Sequence, residues 1–160
     1  MAAVRTVNEQ AFGQPAEAGL VEMLRASCGE ALSLVAEDAG VVVGHILFTP
    51  VVVEGDAGRV AGMGLAPLAV HPDRQREGIG SRLVERGLEI LRGRGCPFVV
   101  VVGHPGYYPR FGFERASARG LSSQWPGVDD AAFMVRVLDP PAMTGVSGVA
   151  RYREEFDAFA

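Results

Sequence analysis

At 160 residues, 48% hydrophobic and 21% charged, the chain has enough apolar material for one globular domain and too little charge for a disordered one. A net charge of −4 argues against a general nucleic-acid binder, whose phosphate contacts need a basic surface. Two cysteines, Cys28 and Cys96, and three histidines supply neither a disulfide framework nor ligands at metal spacing, so no metal is expected. There is no basic-then-apolar leader and no apolar run near the ~20 residues of a membrane span, which points to a cytoplasmic protein.

In chain order, Val4 to Val7 is a short strand candidate. From Glu9 to Cys28, helix formers carry apolar positions at Leu20, Val21 and Leu24, which fits one helix, or two broken near Pro15 and Gly19. Leu32 to Glu37 alternates weakly and runs into Asp38-Ala39-Gly40, a hairpin turn signal. Val41 to Thr49 is the returning strand, which Pro50 disturbs before Val51 to Glu54 resumes the extended path. A turn over Glu54 to Arg59 leads into a long apolar strand, Val60 to Val70, where Gly62, Gly64 and Pro67 indicate a bulge or splay. A splayed strand leaves backbone groups free to bind a ligand.

The helix after Gly78 places Ile79, Leu83, Val84, Leu88 and Leu91 on one face and arginines and glutamates on the other; Gly93 and Gly95 stop it. Phe98 to Val102 has the composition of a strand buried on both sides. Strand, glycine turn, helix and strand together form a βαβ unit with a right-handed crossover and parallel pairing. Two prolines between Gly103 and Phe113 forbid a long helix there. Ala131 to Leu138 is the last clear strand, and the tail from 139 to 160 has no readable role.

Most of the chemistry lies in Gln75-Arg76-Glu77-Gly78-Ile79-Gly80. A helix begun this way leaves its first N–H groups unpaired with the positive end of the dipole behind them, and glycine lets a ligand approach closely. Those conditions suit a phosphate or pyrophosphate, and Arg74 and Arg76 add positive charge in an otherwise acidic chain. Neither the dinucleotide fingerprint G-x-G-x-x-G nor the triphosphatase G-x-x-x-x-G-K is present, and glycines so placed also serve tight packing alone.

Leu68-Ala-Val-His-Pro-Asp-x-Gln-x-x-Gly-Ile-Gly-Ser81 resembles motif A of the GNAT superfamily of acyl-CoA-dependent N-acetyltransferases, and Tyr108-Pro-Arg-Phe-Gly-Phe113 resembles its motif B. The link Gly-His-Pro-Gly-Tyr-Tyr is similar to that of a bacterial subgroup with a shortened fourth helix. The resemblance implies a single α/β (α+β) domain over residues 1–160, with its core in 1–138. It further implies a mixed sheet of about six to seven strands, splayed at the cofactor cleft and flanked by helices on both faces. It implies an acetyl-CoA site in which backbone groups of Leu68, Ala69 and Val70 pair with the pantetheine arm. The N–H groups near Arg76, Gly78, Gly80 and Ser81 would cradle the pyrophosphate, with Gln75 at the family's Q/R position. Tyr108 falls where many members carry the general acid that protonates the departing thiolate; a packing role is its alternative. Tyr107 reads as packing or a substrate wall.

An alkyl ammonium, with a pKa of about 10, must lose a proton before it attacks. His104, where the parallel strands should part, is the candidate base, although the subgroup more often carries an acid there and a turn-capping role competes. His71 before Pro72 reads as structural and His45 as a satisfied core histidine; Glu54 and Asp56 are turn carboxylates that either meet a substrate ammonium or are simply solvated. Three readings stay open: an acetyl-CoA-dependent N-acetyltransferase acting on a primary amine in a ternary complex, a non-catalytic acyl-CoA sensor of the same fold, and a nucleotide-binding domain of another type. The amine acceptor is not coded in any recognisable motif, and folds of this kind accommodate a homodimer.

Overall fold

The computed structural model describes the backbone of residues 2–159 and the side chains of residues 2–157. Its elements are α1 (Ala2–Phe12), α2 (Ala16–Ser27), β1 (Leu32–Asp38), β2 (Val41–Gly55), β3 (Gly58–Val70), α3 (Ile79–Gly93), β4 (Phe98–Val102), β5 (Glu114–Arg115), β6 (Leu121–Ser123), β7 (Phe133–Val137) and β8 (Gly148–Arg151), joined in places by 3-10 turns. Hydrogen-bonded neighbours in the sheet follow the order β5-β7-β4-β3-β2-β8-β6, with β1 on β2. Parallel β3–β4 and β6–β8 pairs stand among antiparallel ones, so the sheet is mixed as expected. The very short β5, β6 and β8 bring it to eight strands. No described helix is long and apolar enough to cross a membrane. Residues cluster into two compact units, one of 1–49 with 66–87 and the other of 50–65 with 88–160.

In the first unit, the segment expected as a strand at Val4 to Val7 is instead part of α1. A strand would send Val4 and Val7 to opposite faces, whereas the helix buries Val4, Val7 and Asn8 together, and Arg5 meets Glu9 one turn on. Arg5 also reaches Glu22 of α2 at 2.7 Å. The chain breaks over Gly13 to Pro15, and Gly19 lies inside α2 rather than ending it. The β1–β2 hairpin turns through Ala39 (φ 52) and Gly40 (φ 80), the positive pair that a two-residue primed turn demands. One face of β2 carries α3, close enough that any side chain at Gly87 would collide with Phe48. On its other face His45, 0% exposed, accepts from Asn8 Nδ2 at Nδ1 (3.2 Å) and donates from Nε2 to Ser33 Oγ (2.8 Å). That tautomer makes Ser33 an acceptor and His45 the satisfied core histidine expected of it. Burial, and secondarily the Arg25 charge, push its pKa down to about 4.

The second unit is built on β4, which pairs in parallel with β3 over Met63↔Val99 to Leu65↔Val101 and antiparallel with β7 from Phe98↔Val137 to Val102↔Phe133. One face packs Phe98, Val100, Phe133 and Val135 against Val51, Val53, Leu121 and Ala150. The tail with no assignable role from sequence forms β8, antiparallel to β2 at Val52 to Glu54 and parallel to β6. β2 passes through Pro50 without breaking. Its β1 ladder ends at Phe48 and its β8 ladder starts at Val52, so on that edge the missing N–H of Pro50 costs no ladder bond. Both cysteines are free, with Cys28 buried and the Cys96 thiol directed at the Phe98 carbonyl (3.2 Å).

Candidate functional site

Between β3 and α3 the main chain folds on itself through local bonds. His71 caps a 3-10 turn by accepting the Asp73 N–H at Nδ1 (3.1 Å), the structural role expected of it. Gln75 turns its amide back to the Val70 carbonyl (3.3 Å), and the His71 N–H meets the Val43 carbonyl (2.8 Å). Arg74 pins the loop from outside with ion pairs to Asp38 (2.9 Å) and Glu77 (3.0 Å). Its charge is therefore neutralised, while Arg76 and Arg82 have no acidic partner among the described residues.

The next residues carry two positive φ angles. Arg76 (φ 67) and Gly78 (φ 84) both lie in left-handed space with Glu77 between them. Gly78 carries this conformation without strain, and nothing lies within 4 Å of where its Cβ would be. The first helical bond of α3 runs from the Arg82 N–H to the Gly78 carbonyl (3.0 Å). Ile79, Gly80 and Ser81 are thus the first-turn residues whose N–H groups have no acceptor within the helix. Ile79 is buried beneath the loop, and Gly80 and Ser81 are half-buried. The first unit so brings together Gln75, Arg76, Gly78, Gly80 and Ser81 at the end of the strand carrying Leu68, Ala69 and Val70. It places Gln75 as a brace of the loop on the strand.

The second unit brings His104 and Tyr108 together. The His104 carbonyl accepts the Tyr107 N–H (3.0 Å) and the Tyr108 N–H (3.4 Å), so its main chain caps the turn while its side chain is exposed. Tyr108 opens a single 3-10 turn, Tyr108–Phe111, in place of the long helix that the prolines forbid. The phenol is 8% exposed, packed edge-on to Tyr107 (5.1 Å), Phe113 (5.6 Å) and Phe111 (6.5 Å). Its ring occupies the space that a side chain at Gly103 would need. Burial first, then Tyr107, push its pKa up to about 12, so it carries its proton throughout the neutral range. Tyr107, under the Arg110 guanidinium at 4.6 Å, is a packing residue of this cluster.

Sequence reasoning missed two contacts, one in each unit. The Arg74–Asp38 pair joins the loop to the hairpin tip, and only the opposite charges of two polar turns hint at it. Tyr152, with its Trp125 and Phe156 neighbours, lies in a stretch whose only local signal is an aromatic pair at 152 and 156 after a valine.

The first unit carries the left-handed pair Arg76 and Gly78 ahead of α3, and the second carries a buried phenol held protonated after β4. A family model described as an acetyltransferase (GNAT) domain matches residues 1–116. The chain is 40% identical over 151 residues to YhbS of Escherichia coli K12, an uncharacterized N-acetyltransferase, covering 94% of this chain and 89% of that one. It superimposes on the crystal structure of Escherichia coli YhbS in complex with CoA with a TM-score of 0.92 at 38% identity, over 99% of this chain and 87% of that one. A Brucella melitensis GNAT family acetyltransferase in complex with acetyl-CoA matches with a TM-score of 0.79 at 37% identity, over 98% of this chain and 91% of that one. The chain belongs to the GNAT acetyltransferase family.

Proposed function

We propose that the chain works as one N-acetyltransferase domain that moves the acetyl group of acetyl-CoA to a primary amine by direct attack in a ternary complex. The observation that carries this reading is the loop at Arg76 to Ser81, whose unpaired N–H groups suit a diphosphate. Arg76 and Arg82 add attraction for a polyanion, and the two 37–38% identical relatives were crystallised with CoA and acetyl-CoA. Backbone groups of Leu68, Ala69 and Val70 would hold the pantetheine arm, and Gln75 would keep the loop in register with them. When bound, acetyl-CoA supplies an activated thioester. His104 takes a proton from the incoming ammonium, directly or through water, and Tyr108 gives its own to the departing sulfur. Acetyl-CoA and the amine are then the partners, with no nucleic acid and no metal, and a cytoplasmic location and a homodimer belong to the same reading.

A screen of amines with acetyl-CoA, followed by the appearance of free thiol, tests it. Tyr108→Phe is expected to keep acetyl-CoA affinity within about twofold and to slow transfer by about 10²–10⁴-fold. The raised pKa sets the pH profile: activity climbs as the amine deprotonates and shows no decline from Tyr108 until pH nears 12. Full activity in the Phe variant removes the acid role. Tight binding of acetyl-CoA with no thiol released by any amine makes the protein a sensor.

A further inference from the structure

The second unit holds a small open pocket that nothing above uses. It has a volume of about 240 Å³, with Leu121, Val128 and Phe133 as apolar lining and Ser123, Trp125 and Asp130 as polar or aromatic lining. That is below the roughly 300–1,000 Å³ of sites that enclose drug-sized ligands, so it suits the end of a short chain. The Trp125 wall is pinned in place. Its N–H donates to Ser123 Oγ (3.0 Å), its carbonyl accepts the Val128 N–H (3.2 Å), and its indole lies 4.9 Å from the Tyr152 ring. Phe133 pairs with Val102, the last residue of β4, and the Ala132 carbonyl accepts the Gly103 N–H (2.9 Å). The pocket therefore borders the end of β4. By strand alternation Val102 and Phe133 share one sheet face, while Gly103, against which the Tyr108 ring rests, looks to the other.

Two neighbouring carboxylates are used differently. Asp129 is committed to the backbone, its Oδ1 accepting the Ala131 N–H (3.0 Å). Asp130 lines the pocket; its Oδ2 meets Arg115 Nη1 at 3.3 Å, and its Oδ1 has no partner among the described residues. Both side chains of that pair are more than half exposed, so it contributes little and gives way readily to another cation. A carboxylate, an indole and an apolar lining in one hollow suit an ammonium carried on an aliphatic chain. A nitrogen held beside Asp130 stays protonated, because the opposite charge favours its charged form. Without a lone pair it cannot attack a thioester. An acceptor seated here must therefore carry a second nitrogen for the reaction.

We propose that this pocket holds one ammonium of a diamine acceptor, paired with Asp130 and lying against Trp125, while the second nitrogen points to the end of β4 to receive the acetyl group. No bond forms or breaks in the pocket itself. The inference rests on the acetyltransferase reading, and one experiment separates their failures. Trp125 is the single tryptophan of the chain, so its emission reports occupancy. Full-length protein saturated with CoA is titrated with 1,4-diaminobutane, n-butylamine and 1-butanol, and free thiol is followed for the two amines with acetyl-CoA. Both amines are expected to shift the Trp125 emission, whereas 1-butanol, of similar size and no charge, is not. Only the diamine leaves a nitrogen free to react, so its kcat/KM is expected to exceed that of n-butylamine by about tenfold, with n-butylamine acting as a competitive inhibitor. Asp130→Asn is expected to weaken both emission responses and the diamine kcat/KM by about tenfold, with CoA affinity and melting temperature as in the parent. No binding of CoA, or no thiol released with any amine, overturns the acetyltransferase reading and this inference with it. With CoA bound and thiol released, an emission that the diamine leaves unmoved, equal kcat/KM for the two amines, or responses that survive in Asp130→Asn overturns the inference alone.

Discussion

The loop from His71 to Ser81 and the strand from Gly148 to Arg151 are held in place by different means. In the loop most of the shape-setting bonds are short-range: Asp73 to His71, Arg74 to Glu77, Gln75 to Val70 and Arg82 to Gly78. The strand makes almost nothing with its own neighbours. It exists because Val52 to Glu54 lie on one side and Leu121 to Ser123 on the other. The loop presents backbone N–H groups, which any sequence possesses and only conformation can aim. By contrast, the strand delivers one particular side chain, Tyr152. Main-chain groups tolerate changes of side chain, whereas the placement of that side chain depends on a distant ladder staying paired.

The largest expected effect breaks the ladder. Gly148 has φ 135, and a Cβ there would collide with the Glu54 carbonyl oxygen. Gly148→Ala is expected to cost about 3 kcal/mol or more in chemical denaturation and to expose the tail to proteolysis. The loop amides should still respond to CoA at low temperature. Next in size is an acid effect in the first unit. His45 is neutral when folded, with its pKa at about 4 against 6.5 in the unfolded chain. Stability is therefore complete above pH 6.5 and falls as pH drops toward 4, because only the unfolded chain takes up the proton. The loss should reach about 3 kcal/mol and appear as a falling denaturation midpoint across that interval.

Smaller effects belong to the loop itself. Gly78→Ala meets no neighbour but must adopt φ 84, so a cost of about 1 kcal/mol in stability and a roughly tenfold weaker CoA complex are expected by calorimetry. Arg76→Gly is the smallest and sharpest test. It relieves a positive φ while keeping the N–H, so CoA affinity should stay within about threefold, less what the lost charge contributes. A much larger loss would shift the weight from main chain to side chain.

The same division explains what could be read from sequence. The α3 start, the Gln75–Ser81 loop and β4 were legible because glycine spacing and amphipathic period lie within one turn or strand. Val4 to Val7 misled because two valines and a threonine favour a strand locally, while burial of Val4 with Val7 requires a helix. Pro50 looked like a break because its place between two ladders is set by β1 and β8, both remote from it. Tyr108 stood out through its motif. Tyr152 did not, since its position depends on pairs to residues 52–54 and 121–123 that no local window contains.

The central claim is that main-chain N–H groups at the head of α3 hold a diphosphate, and amide resonances report it directly. In uniformly nitrogen-labelled protein titrated with CoA, the largest downfield shifts are expected at residues 76 and 78–81, saturating with one equivalent bound. Stationary resonances there, with CoA shifting amides elsewhere in the chain, would contradict it.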